Sequence, residues 1–337
     1  MKDISILIIG NGSIGSRHAE NLLNIVKEVK IFSSRFLKGE KIKKVKNIIY
    51  VKDLYKEIDS ADGIVIANRT DKHLEILNYA LRKKKNIFIE KPISHNMKYI
   101  KEIEELSEDY EAIIETGFML RFHPNLVFLK KIIDKKIYGN IHYVRSTVGQ
   151  YLPDWRKNRD YKKGYAAKRE WGGGVLLDLI HEIDLARWFF GDVGLISAML
   201  FNSQELEIET ESIAQLTLKM KSEILVNLNL DYLRPHYCRN TEIVCQGGIL
   251  YWDYLSGNIK IQNKYGEVKI LHEVNSDFAR NDMYIAEINH FVDNILGSNQ
   301  KKASDLSDAI NALKISCAAY LSNKTKKFIS PDEIKYN

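Results

Sequence analysis

Cysteine is scarce. Cys238, Cys245 and Cys317 are odd in number and nowhere spaced as CxxC, which argues against both a disulfide framework and a cysteine-type zinc site, so no metal is expected. Such usage fits a reducing cytoplasm. Long apolar runs are missing too: Ile4 to Ile9 is too short for a signal-peptide core or a membrane span, so no membrane partner is expected. There is no internal repeat and no low-complexity linker. Charge of one sign is not concentrated either. Fifty Lys and Arg against 44 Asp and Glu leave a formal charge of +6, and the bases are spread over many segments where a nucleic-acid-binding protein would gather them on one element. No nucleic-acid partner is expected. What remains, 45% hydrophobic and 28% charged residues over 337 positions, describes a globular chain too long for one small core, hence two domains.

The first has a clear opening. Residues 4 to 9 read as a strand running into Gly10-Asn11-Gly12-Ser13-Ile14-Gly15, then a helix and a second strand near Val29 to Phe32. In this context GxGxxG points to dinucleotide binding. Gly10 makes the turn, Gly12 lets the backbone approach a pyrophosphate, Gly15 lets helix and strand pack, and the helix N-terminus attracts phosphate. An acidic residue at the end of the second strand would accept from the ribose 2′-hydroxyl of NAD; Ser33, Ser34 and Arg35 stand there instead. Hydroxyls and a guanidinium suit a 2′-phosphate, so NADP is the preferred cofactor and NAD the alternative. The other reading of Arg35 is a side chain pointing into solvent.

Strand-like runs at Ile48 to Val51, Gly63 to Ala67, Asn86 to Glu90 and Ala112 to Thr116 alternate with helical patterns. Six strands with intervening helices predict an α/β, doubly wound parallel sheet, with ligands at the carboxyl ends of the strands. Asn68, Thr70 and His73 follow the fourth strand, Thr70 as a helix N-cap and His73 as either a packed histidine or a cofactor contact. Glu90-Lys91-Pro92 ends the fifth. An ammonium beside the positive nicotinamide of an oxidised cofactor is disfavoured, so the Lys91 pKa should fall towards neutrality and allow proton exchange with a substrate hydroxyl. The alternative is a surface lysine.

After about residue 122 the pattern changes, giving expected domains at 1–122 and 123–337. From Ile141 onward, alternation at Ala214, Leu216, Leu218, Met220 and at Ile224, Val226, Leu228, Leu230 predicts a large, mostly antiparallel open sheet in an α+β domain. Its polar face, with Gln215, Thr217, Asn227 and Asn229, is free to meet solvent or a second copy, as in a homodimer or homotetramer. Two late helices, near Asp282 to Leu296 and Ser304 to Leu321, should pack back onto the body. Within 171–191, three glycines lead a predicted helix whose Leu176, Leu179, Ile183, Ala186 and Phe190 share one stripe, at about 100° per residue. Asp178 and His181 share another face with Leu185 and Trp188. That helix should be buried on two sides, with Gly191 ending it. The segment 151–170 before it carries seven basic and three acidic residues. Trp155, Tyr161, Tyr165 and Trp171 offer faces that stack on sugar rings, and guanidiniums such as Arg156 clamp carboxylates or phosphates. Its functional reading is a loop for an anionic sugar, either a nucleotide-sugar or a sugar acid; the other is a solvated charged loop.

Taken together, GNGSIG at 10 to 15, EKP at 90 to 92, GFMLRFHP at 117 to 124 and GGGVLLDLIHEID at 172 to 184 resemble the glucose-fructose oxidoreductase, inositol dehydrogenase and rhizopine-catabolism (Gfo/Idh/MocA) family over nearly the whole length. The resemblance implies an NAD(P)-dependent oxidoreductase acting on a small sugar, with Lys91, Asp178 and His181 as the catalytic group and Arg121 among the substrate contacts. Many members space that Asp and His four apart; here they are three apart. Sequence leaves open whether Lys91 or His181 is the base; our hypothesis takes His181 as base, Asp178 as its orienting partner and Lys91 as the group that holds and polarises the oxygen. The YLPDW loop running into the glycines is similar to members associated with bacterial surface-glycan synthesis. The family also holds a non-catalytic dinucleotide-binding repressor and NAD-dependent glycosidases, which remain as alternatives.

Overall fold

The computed structural model describes residues 1–40, 42, 44–156, 160–298 and 302–336; the Arg156 side chain, expected to meet substrate, lies outside the described residues. In chain order the elements are β1 (Lys2–Ile9), α1 (Ser13–Leu22), β2 (Val26–Phe32), α2 (Ser34–Leu37), β3 (Ile49–Val51), α3 (Leu54–Ser60), β4 (Gly63–Ile66), α4 (His73–Arg82), β5 (Asn86–Ile89), α5 (Ile100–Ser107), β6 (Ile114–Thr116), α6 (Pro124–Asp134) and β7 (Ile141–Gly149). There follow α7 (Val175–Asp178), α8 (His181–Phe190), β8 (Val193–Phe201), β9 (Ile213–Met220), β10 (Leu225–Asp231), β11 (Cys238–Cys245), β12 (Gly248–Asp253), β13 (Asn258–Gln262), β14 (Val268–Glu273), α9 (Arg280–Ile295) and α10 (Leu306–Thr325).

The chain divides into two compact units: Met1–Met119 with Ala279–Ile310 and Tyr336–Asn337, and Leu120–Phe278 with Asn311–Lys335. The first holds a six-stranded sheet in the order β3-β2-β1-β4-β5-β6, parallel throughout. Strand order reverses between β1 and β4, which puts the crevice for a ligand beyond their carboxyl ends. The strands read as near-continuous apolar runs because both faces are covered. One cover is α9, which the expected 123–337 domain had placed elsewhere. Its Ile288, Phe291 and Val292, spaced i, i+3, i+4, are fully buried in one core with Ile6, Ile8, Leu22, Ile31 and Phe88, and burying each apolar side chain contributes about 1.5–3 kcal/mol.

The second unit is built on an eight-stranded sheet, β14-β13-β12-β11-β7-β10-β9-β8. It is antiparallel except where β10 lies parallel to β7. Along β9 the burial alternates strictly, Ala214, Leu216, Leu218 and Met220 inward, so one face is dry. On the other, Gln215 pairs with Met199 and Thr217 with Ser197 of β8. Met199 and Phe201 are 70% and 61% exposed there.

The expected single helix after the glycines is two. Residues Gly172 to Ala186 are all buried, in keeping with burial on two sides, but α7 stops at Asp178 and α8 begins at His181. Leu179, at φ −99° and ψ 25°, makes the break. Gly191, at φ 90°, ends α8 as expected.

Candidate active site

In the first unit the glycine loop leaves β1 and enters α1. Gly10, at φ 115°, is packed so closely on β4 that a Cβ would lie 2.5 Å from the Ala67 carbonyl oxygen, and a Cβ on Gly15 would run into the Gly10 carbonyl. Those two glycines serve the packing of strand and helix. Gly12 is different: a Cβ there meets nothing within 4 Å, so the space above the loop is open. Gly12 caps α1 without a side-chain bond, and the first turn, from Ser13 and Ile14, holds no acid. Asn11 braces the loop by accepting from Ser16 Oγ at 2.9 Å. At the end of β4, the buried Oδ1 of Asn68 has no hydrogen-bond partner among the described residues. Open space above Gly12, a helix N-terminus without an acid and an orphaned acceptor fit a dinucleotide.

Around the second strand's end, Ser33 is engaged in capping α2, accepting from the Phe36 N–H at 3.4 Å. Ser34 is exposed. Arg35 is exposed as well and donates from Nε to Glu40 at 2.7 Å. His73 is 1% exposed; its Nδ1 lies 3.0 Å from the Pro92 carbonyl and its Nε2 3.1 Å from that of Asn68. Burial lowers its pKa, so a neutral ring donates to one carbonyl at a time. His73 is thus a brace between the Asn68 and Lys91–Pro92 turns, the packed alternative of the two considered, and its ring nitrogens are already committed.

Lys91 is half-buried. Its backbone N–H donates to Glu90 Oε2 at 3.2 Å, while Glu90 Oε1 meets His18 Nε2 at 2.7 Å. A Cβ on Gly117 would come within 3.0 Å of the Glu90 carboxyl, which gives the first residue of GFMLRFHP its reason. Sequence reasoning missed His18. Its signal is position: His18, like Ala19 and Leu22, lies on the buried face of α1, where an imidazole needs a partner.

In the second unit, Asp178 is 6% exposed and accepts hydrogen bonds from the hydroxyls of Tyr165 and, at 2.9 Å, Tyr232. Burial and the Asp178 charge push the Tyr232 phenol well above its usual pKa, so it remains the donor. Trp155 stands edge-on to the Tyr232 ring, centroids 5.3 Å apart, and its buried indole N–H has no hydrogen-bond partner among the described residues. Asp178, Tyr165 and Trp155 are therefore brought together, through a Tyr232 that sequence reasoning did not single out. It continues the buried phase of β10, Val226, Leu228 and Leu230, one step beyond the strand. His181 opens α8 and is 5% exposed.

The glycines ahead of α7 make room for the protein's own groups. A Cβ on Gly173 would meet the Tyr165 and Ala166 carbonyls, and one on Gly174, at φ 114°, would meet the Glu211 carboxylate. Glu211 accepts from the Leu176 N–H at 3.2 Å and from Tyr320 Oη at 2.9 Å, holding α7 in place.

Three features expected to meet the substrate have the following surroundings. Arg121 is 7% exposed and forms a bidentate pair with Asp184, Nε to Oδ2 at 3.0 Å and Nη2 to Oδ1 at 2.6 Å; its guanidinium is committed to the interior. Tyr161 opens a separate turn, Tyr161–Lys163, capped by Asp160. The cationic loop is also less cationic than its sequence: Lys162 pairs with Glu207 at 2.8 Å, Lys168 with Glu209, and Arg169 donates to the Glu209 carbonyl at 3.1 Å.

Two family models match the chain: "Oxidoreductase family, NAD-binding Rossmann fold" over residues 4–118 and "GFO/IDH/MocA C-terminal domain" over residues 127–251. Among its relatives, the myo-inositol 2-dehydrogenase of Thermotoga maritima is 24% identical over 340 residues, covering 97% of this chain and 98% of that one. The scyllo-inositol 2-dehydrogenase (NAD(+)) of Bacillus subtilis is 24% identical, covering 93% and 92%. Among solved structures, myo-inositol 2-dehydrogenase from Lactobacillus plantarum superposes with a TM-score of 0.79 at 26% identity, covering 98% of this chain and 99% of that one. The scyllo-inositol dehydrogenase of Lactobacillus casei, solved with NAD(H) and scyllo-inositol, has a TM-score of 0.80 at 22% identity, covering 98% and 100%.

Proposed function

The chain belongs to the Gfo/Idh/MocA oxidoreductases, and from that membership we propose that it moves a hydride reversibly between a nicotinamide dinucleotide and a secondary alcohol or ketone of a polyhydroxylated ring. The observation that carries the reading is Lys91, half-buried at the end of β5 with its amide held by Glu90. The nicotinamide, when bound, supplies the carbon that accepts or returns the hydride. Lys91 Nζ holds and polarises the substrate oxygen, and an imidazole nitrogen of His181 takes the hydroxyl proton as the hydride leaves carbon. Asp178, fixed by two phenol donors, is the carboxylate that favours the imidazolium so formed. The Trp155 indole N–H offers a donor and the Tyr165 ring a face to a polyol. With Lys162 and Lys168 already paired to acids, an uncharged ring such as an inositol or a free sugar is the substrate class these contacts support over an anionic sugar.

The experiment follows nicotinamide absorbance with inositols, hexoses, UDP- and CMP-sugars and sugar acids in turn. Turnover is expected on an uncharged ring. Tight dinucleotide binding without turnover on any ring would instead favour the regulator or glycosidase reading.

Two finer statements belong to the same reading. With Ser33, Ser34 and Arg35 after β2 and no carboxylate among them, NADPH binds more tightly than NADH, and Arg35→Ala removes the preference, roughly tenfold after the cost of releasing Glu40. Equal dissociation constants for the two in the wild-type protein, by fluorescence titration, would sink this. The open face of the second sheet, with Met199, Phe201 and Leu225 exposed, is the surface for self-association. Sedimentation is expected to show a dimer or tetramer that Phe201→Lys dissociates; a wild-type monomer would refute it.

A further inference from the structure

Helix α9 carries Glu287 into the interior of the first unit, where it is 1% exposed and neither carboxyl oxygen has a hydrogen-bond partner among the described residues. An ionised carboxyl so placed is heavily penalised. His18 faces it from α1, Glu90 from the turn after β5 and Glu115 from β6; Tyr284, His290 and Arg280 share its own helix, and Arg17 lies over the Tyr284 ring at 4.7 Å. Several nearby donors serve the neighbouring carboxylates. Glu115 takes His290 Nδ1 at 2.9 Å and Asn294 Nδ2 at 2.7 Å, and Glu90 takes His18 and the Lys91 amide. Ligand-type atoms of His18, Glu90 and Glu287 lie within 4.8 Å of one another. A shared cation is nevertheless disfavoured. The 2.7 Å between His18 Nε2 and Glu90 Oε1 is a hydrogen bond, shorter than the roughly 3.3 Å between tetrahedral ligands at zinc bond lengths. A proton resolves the same electrostatic problem without moving an atom.

We propose that Glu287 is a positioning residue that works as a neutral acid: it keeps its proton through neutral pH, leaves Glu90 the one charge of the pair, and so lets Glu90 hold the Lys91 amide. Burial, then the charges of Glu90 and Glu115, both raise its proton affinity. When Glu287 ionises at alkaline pH, a second negative charge arrives beside Glu90 and the turn that carries Lys91 is pushed apart. The last step rests on the oxidoreductase reading of Lys91; the protonation does not.

Two measurements on the full chain separate the two. The folded state binds a proton that the unfolded state has released, so wild-type stability falls as pH rises from the unfolded carboxyl range, about 4.3, towards the folded pKa. Glu287→Gln, which copies the neutral acid, removes that slope. Its melting temperature relative to wild type should climb by roughly 2–4 °C per pH unit across that window. Parallel curves overturn the proposal whatever the protein's activity. Should the variant not fold, the infrared spectrum of the wild type at neutral pH serves instead: a protonated-carboxyl band is expected, and carboxylate bands alone overturn it. In turnover, the alkaline limb of kcat/KM should move up by at least about one pH unit in Glu287→Gln, and an unmoved limb refutes the positioning role. Failure of the dehydrogenase reading looks different: turnover indifferent to Lys91→Ala, with the melting difference intact.

Discussion

Lys91→Ala lowers kcat on the ring that the panel identifies by roughly 10²–10⁴-fold, while the dissociation constant for the dinucleotide changes far less. The split follows from how the turn is held. Glu90 Oε2 accepts from the Lys91 backbone amide, and His73 braces the Pro92 carbonyl from below, so neither support depends on the lysine side chain. Truncation removes the ammonium and leaves the loop. Lys91→Arg restores little, because the planar guanidinium reaches to a different point from the compact ammonium that holds the oxygen. Steady-state rates with both variants, set beside fluorescence titration of the cofactor, check this. A kcat for Lys91→Ala within about threefold of wild type would mean that Lys91 does not hold and polarise the reacting oxygen.

The first unit was legible because its constraints are local. Each strand of the parallel sheet is a short apolar run with a turn signal at its end, and Gly10 and Gly15 are demanded by backbone carbonyls a few residues or one strand away. Longer-range facts left no local trace. The apolar spacing of Ile288, Phe291 and Val292 announces a buried face, yet nothing in it says that the face closes on β1 and β2. The break between α7 and α8 falls at Leu179 and Ile180, with neither proline nor glycine to mark it, because Glu211, more than thirty residues on, fixes the first helix. The same distance hid the acids that answer the cationic loop, since Glu207 and Glu209 lie some forty residues after the bases they pair with. Asp178 stood out by sequence because a carboxylate on an apolar helix needs an explanation; Tyr232, which supplies part of it, looked like one more apolar position.

Arg121 is the position where sequence and structure diverge most, and Asp184→Ala is the variant that decides between them. Both side chains are buried, 5% and 1% exposed, and the Trp188 ring lies 5.9 Å from the guanidinium. Two parallel N–H to oxygen bonds satisfy the pair where water does not reach. Removing the carboxylate strands a permanent cation in the interior, because the guanidinium cannot neutralise itself by losing a proton. Breaking a buried pair in this way costs about 3–5 kcal/mol, much of it the penalty on the partner left behind. Urea unfolding of Asp184→Ala should show that loss, and Arg121→Met with Asp184→Leu should recover most of it, since apolar residues of similar volume leave no charge stranded. A substrate-binding Arg121 gives the opposite pattern: Arg121→Met would raise KM with little change in the unfolding midpoint. The bidentate geometry favours the first result, with the Arg121 guanidinium spent on Asp184 and not on a substrate.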